Sequence, residues 1–157
     1  MSLILRFTRT SPTHHRFEYV RADGSGEALE LETRAFLIHD LLHFAVESEA
    51  GLRGSFYGLL DRVGGYAELS VSAGGLGGEV QLTEMIVGPL SAALDGEIDL
   101  DAFVGGVSRY FEDMDLRPPR WFTPGFVAAV RERMRQLIGQ WKATPFGETM
   151  ALTFEPR

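Results

Sequence analysis

The chain has 157 residues, with 15 Lys+Arg against 22 Asp+Glu and a net charge of −7. It is 45% hydrophobic and 24% charged, which fits one domain with its own core and excludes a disordered chain. It has no cysteine, so disulfides, a thiol nucleophile, an iron–sulfur cluster and a thiolate zinc site are all excluded.

The basic side is carried by arginine, with Lys142 the one lysine, and no lysine-bearing phosphate loop exists. The acidic balance argues against a nucleic-acid partner, which needs a basic surface or stripe. The best basic run, Arg131-Glu132-Arg133-Met134-Arg135, is interrupted by a carboxylate and reads as a solvated helix face. No apolar run approaches the ~18 residues of a membrane span. The start, Met1-Ser2-Leu3-Ile4-Leu5-Arg6, lacks the pattern of a signal peptide, so a cytoplasmic location is expected.

Residues 2–9 alternate, with Leu3, Leu5 and Phe7 on one face, and predict a strand. After the turn at Ser11-Pro12-Thr13, residues 16–21 alternate again through Phe17 and Tyr19. Asp23-Gly24-Ser25-Gly26 is a hairpin connection, and residues 27–33 set Leu29 and Leu31 against Glu30 and Glu32. The three strands make an antiparallel meander with one wet face. Thr33 is placed to cap the next helix, which runs without glycine or proline from Arg34 to about Ser48 and stops before Gly51.

Residues 54–63 suggest a short helix. Residues 64–78 look loop-like, with a brief alternating stretch over Tyr66–Val71 that predicts a strand. A helix is expected from Glu79 to about Leu94, with a break at Gly88-Pro89. Asp99 can cap another, to about Asp113. Beyond the extended Arg117-Pro118-Pro119-Arg120, Thr123 and Pro124 open the last helix, which reaches about Lys142. Thr149–Glu155 alternates as a terminal strand that returns to the meander, because a lone strand is not stable. The expected fold is a single α+β domain over residues 1–157. Its antiparallel sheet joins three N-terminal strands to the C-terminal one and packs against four or five helices.

The helix 34–49 carries the chemistry. Counting about 100° per residue from His39, His43 falls near 40°, Glu47 near 80° and Asp40 near 100°. The rest is apolar nearly all round, the mark of a buried helix. Past Arg34 it has no Lys, Arg or Gln, which a wet face would carry. Two imidazoles at i and i+4 share one face and can converge on one metal. Imidazole suits zinc, iron, nickel or copper, with zinc favoured. Glu47 lies about 12 Å along the axis from His39, so it is either a ligand on the His43 side or a partner that orients His43. A third ligand must come from elsewhere, from Glu79, Glu84 or His14–His15.

His39-Asp40-x-x-His43 resembles the His-Glu-x-x-His motif of zinc metalloproteases, with the glutamate shortened to Asp40. That resemblance implies His39 and His43 as ligands and Asp40 as general base on metal-bound water. The same residues also resemble the start of the His-Asp-x-x-His…Glu motif of the Coq4 ubiquinone-biosynthesis family. That family's glutamate position falls here on Ser55, and its fold is helical. The longer stretch His39–Glu47 is similar to a family of small uncharacterised bacterial proteins with a His-Asp-x-x-His-x-x-x-Glu helix, which implies no activity.

Gly74–Gly78 precedes a helix. It reads as a surface loop whose amides could cradle an anion, or which could close over the His39–Glu47 face. His14 and His15 read as exposed loop residues. Arg120-Trp121-Phe122 reads as an anchor for the last helix that could also line a groove or a homodimer contact. No serine-nucleophile elbow occurs.

Two functions follow. One is a small metal-dependent protein, in hydrolase style, with His39, His43 and Glu47 as candidate metal residues and Asp40 as the catalytic carboxylate. It would act on a small-molecule or peptide ligand. The other is a non-enzymatic binding or interaction module in which the His/Asp/Glu stripe is structural.

Overall fold

The computed structural model describes residues 2–62, 64–72 and 78–155. The Gly74–Gly78 loop reading falls outside these, apart from Gly78. Three strands come first, β1 (Leu3–Arg9), β2 (His14–Val20) and β3 (Gly26–Glu32). Six helices follow among the described residues: α1 (Thr33–Ala50), α2 (Phe56–Arg62), α3 (Tyr66–Ser72), α4 (Gly78–Ala92), α5 (Leu100–Asp113) and α6 (Pro124–Ala143). The chain ends with β4 (Thr149–Phe154). The sheet order is β3-β2-β1-β4, and every neighbouring pair is antiparallel. The α+β architecture and the return of the last strand to the meander follow the alternation in the sequence.

The register explains the layer. Phe7 faces Phe17 on one side and Met150 on the other, and Leu5 lies opposite Tyr19 and Leu152. Leu3, Leu5, Phe7, Phe17, Tyr19, Met150 and Phe154 are buried on this face. Burial of a large apolar side chain stabilises by roughly 1.5–3 kcal/mol, so a one-residue slip, which would turn this row to water, is strongly disfavoured. The opposite face is polar, with Arg6 bonded to Glu18 at 2.8 Å and Thr8 to Thr149 at 2.7 Å.

Helix α1 lies between the sheet and the other helices, packed against α6, α4, α2 and β3. Leu37, Leu41, Leu42, Phe44, Ala45 and Val46 are all buried, as an all-round apolar helix requires. Gly51 ends it in the left-handed conformation at φ 66°, where glycine has no steric penalty. Asp99 caps α5 through Ala102 N–H, and Thr123 caps α6 through Phe126 N–H, as the sequence suggests.

Four local expectations are corrected. Thr33 does not cap α1. The helix starts from an uncapped Glu32, and the Thr33 hydroxyl bonds His15 Nδ1 at 3.0 Å, a tertiary contact that displaces the local one. Tyr66–Val71 is not a strand. It lies in α3, which buries Tyr66 and Leu69 at helical i, i+3 spacing and bonds Leu69 N–H to Gly65 O. Helix α4 runs through Gly88-Pro89 without a break, although Pro89 has no N–H for the carbonyl of Met85. Finally, His14 and His15 belong to β2 rather than a loop. His14 is exposed, but His15 is wholly buried between Phe7 and Trp141. That burial lowers its pKa. Among the described residues no helix is long and apolar enough to cross a membrane.

Candidate metal centre

The stripe on α1 is not a wet edge. Asp40, His43 and Glu47 are buried, and only His39 is half exposed, at 50% of its side chain. They meet residues from α2, α3 and α4 around a cavity of about 180 Å³, lined by Phe36, His39, Asp40, His43, Phe56, Tyr66, Glu84 and Ala35.

His43 is the centre of the arrangement. Its Nδ1–H donates to Glu47 Oε2 at 3.0 Å, and its Nε2 faces Glu84 Oε1 at 2.8 Å. His39 repeats the pattern more loosely, with Nδ1 3.9 Å from Asp40 Oδ1 and Nε2 3.8 Å from Glu84 Oε2. The two rings stand 4.6 Å apart, edge to face. Each imidazole therefore turns Nε2 towards one carboxylate, Glu84, and Nδ1 towards another. His39, His43 and Glu84 each offer a ligand atom within 4.8 Å of the others, close enough to hold a metal ion. A tetrahedral zinc needs donor separations of about 3.3 Å, given bond lengths near 2.0–2.1 Å, so small side-chain shifts suffice.

The carboxylates behind the rings are themselves fixed. Glu47 is fully buried and accepts from Tyr57 N–H at 2.9 Å through Oε1, with a further backbone bond from Gly58. Gly58 is required there, because a Cβ would sit 2.1 Å from Arg53 O. Asp40 accepts from Tyr66 O–H at 2.8 Å, and its own carbonyl accepts from Tyr57 O–H at 2.8 Å. A buried tyrosine needs such a partner for its hydroxyl, and these two lock α2 and α3 onto α1.

The electrostatics follow from this packing. Burial pushes the His43 pKa down, but Glu47 and Glu84 outweigh it and raise it to about 9. Asp40 and Glu84 raise His39 to about 9 against its partial burial. Glu84 is pulled down to about 2, since its two imidazole partners overcome the opposing effect of burial. Burial raises Glu47, opposed by its bond to His43. The cluster is thus an imidazolium–carboxylate network.

Of the sequence candidates, His39, His43 and Asp40 line the cavity, whereas Glu47 lies behind His43 and outside the His39/His43/Glu84 group. Among the proposed third residues, Glu84 is the one brought in. Glu79 instead accepts from Gly54 N–H at 2.8 Å, and neither His14 nor His15 joins the group. Tyr57, Tyr66 and Phe56 were not legible as site residues. The only signal was that an apolar helix with buried carboxylates must find donors somewhere, and tyrosines in the next segments are such donors.

A hydrogen-bonded His/His/carboxylate cluster beside a small cavity is the class of site this fold builds. Searches against family models, curated proteins and solved structures found no match to this chain.

Proposed function

We propose that this chain is a metal-dependent protein, with a divalent transition ion, zinc favoured, held by His39, His43 and Glu84. The observation that carries the reading is the orientation of both imidazoles. Each presents Nε2 to Glu84, and the buried Glu47 backs His43 Nδ1 at 3.0 Å, the arrangement that fixes the ligating tautomer of metal-bound histidine, while His39 Nδ1 lies 3.9 Å from Asp40. In this reading Glu47 is the positioning residue for His43. Two histidines and a carboxylate leave a coordination position free, and the cavity lies beside it. A metal held there would supply Lewis-acid activation of water, which supports hydrolase chemistry. Asp40, at the cavity wall, is the carboxylate placed to take the water's proton.

A second reading is favoured by one feature. Each imidazole nitrogen already faces a carboxylate, so the cluster can stand as a structural ion-pair network in a non-enzymatic module. Metal analysis of tag-free protein separates the two. The metal reading expects one equivalent in the wild type and loss in His39→Ala/His43→Ala. Equal, sub-stoichiometric metal in both proteins refutes it and leaves the structural network.

A further inference from the structure

The sheet has two edges, and they are built differently. β3 carries Glu27, Glu30 and Glu32 along its length, and Glu27 accepts from Tyr19 O–H at 3.0 Å. Charges of this kind defend an edge, since a second β3 laid against it would bring carboxylates together. β4, at the opposite edge, reads Thr149-Met150-Ala151-Leu152-Thr153-Phe154. It has no charge, proline or glycine, and among the described residues its one strand partner is β1. The phase of β4 follows from its start. Glu148 C=O accepts from Arg9 N–H at 3.0 Å, in register with the Thr8–Thr149 pair that follows. In an antiparallel ladder, alternate residues turn both backbone groups to the same neighbour. Met150, Leu152 and Phe154 therefore turn theirs to β1, and Thr149, Ala151 and Thr153 turn theirs outwards. One core-facing residue is also left open on this side: Leu152 is only part-buried and floors a groove with Phe44 and Leu137.

We infer that β4 is a self-association edge, through which two copies of this chain pair antiparallel about a two-fold axis at Ala151 and join their sheets into one. Two copies of a chain with a net charge of −7 repel each other, and they meet at least cost on a neutral strip. β4 is such a strip, lying between Glu148 and Glu155. A two-fold contact must also be complementary to itself. With Ala151 on the axis, Thr149 lies opposite the partner's Thr153, and Met150 opposite the partner's Leu152. Both faces of the sheet continue across the axis, and the open side of Leu152 is covered. Glu148 falls opposite the partner's Phe154, so no carboxylate faces another. The three outward residues of each copy then supply about six backbone hydrogen bonds.

Sedimentation equilibrium of the wild-type chain from about 1 to 100 µM should show the mass rising to twice that of one chain. Ala151→Pro removes an outward N–H and leaves the ladder to β1 intact, so the chain stays folded by circular dichroism while the dimer weakens at least about tenfold. Ala151 is exposed, so Ala151→Lys and Ala151→Glu also keep the fold. Each sets like charges across the axis and weakens the dimer about threefold to fivefold. An equimolar mixture of the two recovers the wild-type affinity, because each lysine then faces a carboxylate across the axis. This pair decides the matter if Ala151→Pro does not fold. A wild-type chain still monomeric at about 100 µM overturns the inference. So does a dimer equally tight in folded Ala151→Pro, or a mixture no tighter than either charged variant alone.

Discussion

Replacing Glu47 by glutamine keeps the side chain's size and removes one acceptor. In the wild type both carboxylate oxygens accept, from His43 Nδ1–H at 3.0 Å and from Tyr57 N–H at 2.9 Å. An amide has one acceptor and one donor end. If its oxygen serves Tyr57, its NH₂ faces His43 Nδ1, which can then only accept. The His43 proton is forced onto Nε2, the atom turned towards Glu84. Turning the amide over moves the donor–donor clash to Tyr57 N–H. The variant must therefore pay about 1.4–2.7 kcal/mol to present a bare Nε2, the tenfold to hundredfold loss typical when a ligating histidine loses its backing carboxylate. Glu84→Gln removes a ligand outright and costs more than about hundredfold. Zinc competition against a chromophoric chelator measures both, with circular dichroism confirming that each variant is folded. Wild-type affinity in Glu47→Gln refutes the positioning role. A larger loss in Glu47→Gln than in Glu84→Gln would make Glu47 the ligand and refute the assignment of Glu84.

The remaining predictions concern stability. In metal-free protein His39 and His43 have folded pKa values raised to about 9, so their contribution is complete below the unfolded value near 6.5 and is lost as pH rises through about 9. Glu84, lowered to about 2, contributes above its unfolded value near 4.5 and loses that contribution as pH falls through about 2. Glu47 acts the other way from Glu84, because burial favours its protonated form. Denaturant melts of chelator-treated protein should therefore weaken between about pH 7 and 10, and saturating zinc should remove that weakening. A flat metal-free profile would sink this account. Tyr66→Phe strips Asp40 of its 2.8 Å donor and should destabilise by about 1–3 kcal/mol in urea unfolding. A neutral result would show that Asp40 finds another donor. Asp99→Ala removes the α5 cap and should cost about 1 kcal/mol with no effect on metal affinity.

Local pattern was enough for the sheet, because alternation is a property of neighbouring residues. Leu3, Leu5 and Phe7 declare their face without any knowledge of Phe17 or Met150. It was also enough for α1 and for the sharing of one face by His39, His43 and Glu47, since helical geometry is fixed once the helix is. What lay beyond it depended on segments distant in sequence. Glu84 and Glu79 are equally good carboxylates at the start of one helix. Only the packing of α4 against α1 brings Glu84 between the two imidazoles and leaves Glu79 on Gly54. The turn from Thr33 to His15, the helical state of Tyr66 and the burial of His15 have the same origin. In each, a tertiary contact outweighed a local preference worth about 1 kcal/mol or less. The absence of cysteine confined any transition-metal site to imidazole and carboxylate. The fold then chose which carboxylate, and put Glu47 behind the histidine rather than beside it.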